Sequence, residues 1–135
     1  MKNKKKLIDK YTQPIYIPNT LYVCRHCTKE DLDKMFNYTD TEESSIYEDT
    51  DSYSGLTCYG VKDKTTGNLC IVILLGDELD ENDMKDNINI IAHESFHAAH
   101  RILQYCNINL SDDTTECFAF MVGWCAECVF KTMSK

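Results

Sequence analysis

Apolar residues fall along this chain in three successive patterns: short β-rich runs, then a helical 3–4 spacing, then a nearly unbroken apolar stretch. The run "IYIPNTLYVCRHC" (residues 15–27) is rich in aromatic and β-branched residues and is interrupted at Pro18-Asn19, which predicts one or two short strands. Residues 28–38 predict a short helix, with Thr28 as N-cap, acidic residues in the first turn, and Leu32, Met35 and Phe36 as its apolar face. Residues 56–76 predict two strands joined by a turn at Thr66-Gly67-Asn68. The second of these, Leu69–Leu75, is apolar on both faces and is expected to be central or covered.

A long helix is predicted from Glu81 to Cys106, with Met84, Ile88, Ile91, Ser95, Ala98 and Ile102 on its buried face. Residues 107–113 break it. A final helix runs from Asp113 to Met133, and "CFAFMVGWCAECVF" within it is apolar nearly all round, as suits a helix in the middle of a domain. Strands followed by helices, without repeats or low-complexity linkers, predict a single α+β domain over residues 1–135.

Charge divides the chain further. Lys2, Lys4, Lys5, Lys6 and Lys10 lie in a basic N-terminal tail (residues 1–14), whereas residues 37–55 carry six carboxylates and no basic residue. So polar a segment predicts a long mobile loop, either a solvated insertion or a lid that brings Tyr47 or Tyr53 over a cleft. Six more carboxylates lie between Asp77 and Asp86. The net charge of −8 over 135 residues argues against a nucleic-acid binder. No apolar run is long enough for a membrane span. The basic start has no apolar export segment after it, so a cytoplasmic protein is expected, with its eight cysteines reduced.

The chemistry is concentrated in the long helix, where His93-Glu94-Ser95-Phe96-His97 matches H-E-x-x-H. Four residues are slightly more than one helical turn, so both imidazoles project from one face about 6 Å apart along the axis. That spacing lets two histidines close on one zinc ion. Glu94 is placed to reach a water on that ion without occupying it. Composition alone would produce the motif in about 1% of such chains.

A catalytic zinc needs a third protein ligand and an open position. His100 shares the histidine face, but an unbroken helix sets it about 10 Å from His93 along the axis, too far for one ion. It reads as a partner to a metal ligand, a transition-state donor or a surface histidine. Glu116 is the better ligand candidate: it stands in the first turn of the final helix, and an antiparallel helix pair returns that turn toward the histidines. Asp113-x-x-Glu116 is equally a capping box, in which Glu116 only bonds backbone N–H groups. Asp112 and Asp113 are the fallback ligands.

H-E-x-x-H followed about 20 residues later by a glutamate at the head of another helix resembles the zincin metallopeptidases of the gluzincin, thermolysin-like type. The likeness covers roughly residues 69–130 and is closest in size to small intracellular or phage-encoded metallopeptidase-like proteins. It implies a minimal zincin-like domain, with a small sheet packed on the active-site helix and a buried glutamate-bearing helix following. It implies Zn2+ held by His93, His97 and Glu116, with Glu94 as the general base that activates the zinc-bound water. No N-E-x-x-S/D extension follows Glu116. The oxyanion donor is open among Tyr105, His100 and the loop tyrosines.

The activity expected is cytoplasmic, zinc-dependent hydrolysis of a peptide or protein substrate, a basic one if the acidic segments line the cleft. The alternative from another class is a zincin-fold binding or virion accessory protein that keeps zinc as a structural clip. A rival metal site would join Cys24-x-x-Cys27 with Cys125-x-x-Cys128 as four zinc thiolates, although Cys125 and Cys128 fall on an apolar helix rather than a tight turn.

Overall fold

The computed structural model describes residues 4–40 and 44–135. Strands β1 (Leu7–Thr12) and β2 (Thr20–Arg25) are followed by helix α1 (Lys29–Met35) and strands β3 (Phe36–Tyr38), β4 (Gly55–Asp63) and β5 (Leu69–Leu75). A 3-10 turn at Asp77–Asp80 then leads into helices α2 (Met84–Tyr105) and α3 (Thr115–Met133). The architecture is α+β. The strands form one sheet in the order β1-β2-β5-β4-β3, in which β2 and β5 are parallel and every other pair is antiparallel.

The central position of β5 follows from its composition, since residues Cys70–Leu75 are all buried. Successive side chains of a strand point to opposite faces, and here both faces are covered. Leu21, Val23, Ile71, Ile73 and Leu75 meet α2 and α3 on one face. Tyr22, Cys24, Cys70, Val72 and Leu74 meet Leu32, Phe36 and Ile46 on the other. Two cores therefore sandwich the sheet, and each fully buried Leu or Ile contributes about 1.5–3 kcal/mol. Among the described residues no helix is long and apolar enough to cross a membrane.

Several expected boundaries move. The basic tail contains an edge strand: β1 pairs with β2 along its whole length, with Leu7 buried and Tyr11 packed on the helical core. Charged side chains on its outer positions suit an edge. Helix α1 starts at its capping box, where Thr28 and Asp31 exchange side-chain and backbone hydrogen bonds of 3.1 and 2.8 Å. It stops at Met35 rather than at residue 38, because Phe36–Tyr38 pair instead with Val61–Asp63.

The described part of the acidic segment is anchored to the fold. Thr41–Glu43 lie outside the described residues, but from residue 44 onward the chain packs on the sheet face away from α2. Ile46 is only 1% exposed, and Tyr47 and Tyr53 pack on the same cluster. The backbone amides of Gly76 and Asp77 donate to the carbonyls of Ser54 and Thr50 at 2.8 and 2.9 Å. Composition suggested a solvated loop; three apolar anchors spaced along it, together with these backbone hydrogen bonds, fasten it.

The two long helices also differ from expectation. Met84 and Ile88 are exposed, because the inward position of the first turn belongs to Asn87, whose Nδ2 donates to the Leu79 carbonyl at 3.0 Å. Helix α3 is amphipathic rather than buried all round: Phe118, Met121, Cys125, Cys128 and Val129 face the core, while Phe120 and Phe130 face solvent.

Candidate metal centre

Helix α2 carries the H-E-x-x-H segment unbroken, and its two kinds of position separate sharply. His93 and His97, one turn apart, lie on the exposed face with their Nε2 atoms 3.2 Å apart and their rings 4.7 Å apart, edge to face. Two nitrogens that each bind one tetrahedral zinc at about 2.0–2.1 Å stand about 3.3–3.4 Å apart. The pair therefore already has the separation of two ligands of one ion.

Glu94 is turned about 100° further round the helix, toward β4. Its side chain is only 8% exposed, against 64% for His93, and its Oε2 lies 3.8 Å from His93 Nε2. Thr57 on β4 donates its hydroxyl to Glu94 Oε1 at 2.8 Å, and the same hydroxyl lies 3.2 Å from the Glu94 carbonyl. Gly55, two residues earlier on that strand, makes room for the side chain: a Cβ there would sit 2.6 Å from Glu94 Cγ. A surface cavity of about 250 Å³ opens beside these groups, lined by Ser54, Gly55, Asn89, Ile90, His93 and Glu94.

The other candidates occupy different surroundings. His100 is half-buried, stacked on Phe96 at 6.0 Å with Phe118 at 6.3 Å, and belongs to the seam between α2 and α3. Tyr105 ends the same helix, eight residues and about 12 Å of axis beyond His97, which removes its hydroxyl from the reach of a group bound at the histidines. Glu116 lies in the first turn of α3 but is exposed. It stands two positions, about 200° of helix, from the inward-facing Phe118. Asp112 and Asp113 are exposed in the preceding loop. None of these three carboxylates brings an oxygen within 4.8 Å of both histidine ligand atoms.

Among the described residues, one group of three potential ligands does converge: His26, Asp77 and Asp80 offer atoms within 4.8 Å of one another and could hold a metal ion. His26 Nε2 lies 3.2 Å from Asp80 Oδ1, and His26 Nδ1 lies 3.8 Å from Asp77 Oδ1. The Arg25 guanidinium already bonds Asp80 Oδ1, and Lys4 Nζ is 3.5 Å from Asp80 Oδ2. An added cation would compete with both, so the cluster's evident work is to pin the turn before α2 onto the end of β2. Sequence spacing could not reveal it, because His26 and Asp77 are far apart in the chain and meet only through the parallel pairing of β2 with β5.

A four-cysteine site does not form. Cys24 and Cys27 lie in the core on one side of the sheet, Cys125 and Cys128 in the core on the other. Burial pushes the Cys70 and Cys128 thiols up to about 12 and Cys58 to about 11, so they stay protonated near neutral pH.

Comparison with known proteins adds no relative: no family model matches the chain, and no curated protein or solved structure gives a match. The residues around His93, Glu94 and His97 are therefore what a functional reading has to rest on.

Proposed function

We propose that this chain is a zinc-dependent metallopeptidase of the zincin type, acting on a peptide or protein substrate. The observation that carries this reading is the 3.2 Å separation of His93 Nε2 and His97 Nε2 beside the buried Glu94 carboxylate. A helix merely rich in histidine has no reason to bury the intervening acid against a strand and give it a hydroxyl donor.

In this reading His93 and His97 would hold a zinc ion through Nε2, and Glu116, which faces solvent here, would become the third ligand by turning in from α3. Its turn of α3 stands close to the site, since Phe118 packs on Phe96, the residue just before His97, with ring centroids 6.4 Å apart. A zinc ion held there would lower the pKa of a bound water toward about 7 and polarise a peptide carbonyl. Glu94, with Oε2 facing His93, would be placed to take the proton of that water and return it to the leaving amine. The cavity beside Ile90 and Asn89 receives a substrate side chain. Among the described residues the cavity is lined by no acidic side chain apart from Glu94, so the acidic segments do not supply a preference for basic substrates there.

The test is hydrolysis of a fluorogenic peptide library by the zinc-loaded protein and by Glu94→Gln. Activity in the wild type that is lost in the variant, with zinc retained in both, is the expected result. Zinc bound tightly in both with no turnover in either would leave a structural metal clip.

A further inference from the structure

Glu94 is held at two points by one strand. Gly55 and Thr57 are two residues apart on β4, so they face the same side of the sheet. They pair with Leu75 and Ile73 of β5, whose side chains lie in the core under α2. The strand that presents them is thus anchored on the most buried strand of the molecule. Gly55 lies against Glu94 Cγ so closely that any side chain there would overlap it. Thr57 Oγ1 donates to Oε1 at 2.8 Å. With Oε1 so engaged, Oε2 is the oxygen left facing His93 Nε2, at 3.8 Å.

From this geometry we infer that Thr57 is a positioning residue for Glu94, selecting which carboxylate oxygen faces the cavity, and that Gly55 is the cradle that makes that rotamer accessible. The inference rests on the hydrolytic reading above. A glutamate has three side-chain torsions to immobilise, and here contact at Cγ and a hydrogen bond at Oε1 fix both ends of the chain of torsions. Without the hydroxyl, Oε1 is an acceptor on a buried side chain with no partner, and the carboxylate is free to turn toward water or toward His93. Reaction rates are sensitive to such displacement, a misplacement of about 1 Å costing on the order of a hundredfold. Thr57 touches neither the ion nor a substrate, so its effect is on turnover rather than on affinity.

The experiment compares wild type, Thr57→Val and Thr57→Ser, each zinc-loaded, by crystal structure, zinc content, and kcat and KM on a fluorogenic peptide. Valine keeps the shape and β-branching of threonine, so the strand is preserved; serine keeps the hydroxyl. In Thr57→Val the Glu94 carboxylate is expected to leave its rotamer. Its kcat is expected to fall by about ten- to a hundredfold, while KM and zinc content stay put, and serine restores both rotamer and kcat. A Glu94 rotamer unchanged in Thr57→Val would overturn the inference, as would a serine variant no better than valine. If the zinc-loaded wild type hydrolyses nothing, the hydrolytic reading fails by itself, and the crystal structures still decide whether Thr57 orients Glu94.

Discussion

His93 and His97 hold their Nε2 atoms 3.2 Å apart on the exposed face of α2, while Glu94 between them in sequence is buried. Helix geometry alone brings two histidines onto one face; it does not bring their Nε2 atoms together, since each ring has free rotamers pointing away. The pair lies at hydrogen-bond distance as well as near the separation of two ligands of one ion, with a carboxylate 3.8 Å from one of the two nitrogens.

The third ligand is tested by substitution. Glu116→Ala is expected to weaken zinc binding by at least about tenfold, because a two-histidine site lacks the third donor that a catalytic zinc requires. Asp112→Ala and Asp113→Ala should leave binding unchanged. Isothermal titration with zinc separates the three; an unchanged Kd for Glu116→Ala together with a loss in either aspartate variant would move the ligand into the loop.

Gly55→Ala gives a complementary outcome. Its Cβ would fall 2.6 Å from Glu94 Cγ and 3.2 Å from Oε2, so the carboxylate must move. Expected is a fall in kcat of about tenfold or more, with zinc content unchanged by mass spectrometry because neither histidine is touched. A variant as active as wild type would show that Glu94 has room to spare.

The seam between the long helices can be probed without reference to chemistry. Phe118 is 4% exposed and packs on Phe96 and His100. Phe118→Ala is expected to cost about 3–5 kcal/mol, read from urea denaturation. His100→Ala should leave zinc binding intact, since that ring is engaged by two aromatic neighbours on the seam.

Asp63 makes stability depend on pH in a definite direction. Burial pushes its carboxyl up, but Tyr22, donating to Oδ2 at 2.6 Å, and the backbone amides of Thr65 and Thr66 outweigh this and hold it below the ordinary carboxylate value. A folded pKa below the unfolded one stabilises the fold above the unfolded value, about 3.9, and that contribution is lost as pH falls through the folded pKa. Tyr22→Phe is expected to cost about 1.5–3 kcal/mol near neutral pH. The gap to wild type should close below about pH 4; a gap that persists undiminished in strong acid would contradict this.

Much of this was legible from residue order. The apolar run Leu69–Leu75 announced the central strand, the 3–4 spacing the long helix, and H-E-x-x-H the paired histidines. What escaped had specific causes. Leu7 to Thr12 read as tail because it follows a lysine-rich start and itself carries Asp9 and Lys10, which outweigh Leu7, Ile8 and Tyr11, the side chains that pack inward. The acidic segment read as loose because Ile46, Tyr47 and Tyr53 are few among many carboxylates, yet they anchor it together with backbone hydrogen bonds at Ser54 and Thr50. Thr57 and Gly55 carry no motif, and their relation to Glu94 exists only once β4 is laid against α2. Glu116 is the opposite case: its position in the chain matches a ligand, while its side chain in the fold faces solvent.

The most direct test is the zinc stoichiometry of the purified protein, measured by mass spectrometry for wild type, His93→Ala and His97→Ala. One zinc per chain is expected in the wild type, with loss of it in both variants. Zinc retained by both variants, with loss instead in His26→Ala, would place the metal at the cluster with Asp77 and Asp80 and contradict the assignment of the H-E-x-x-H helix.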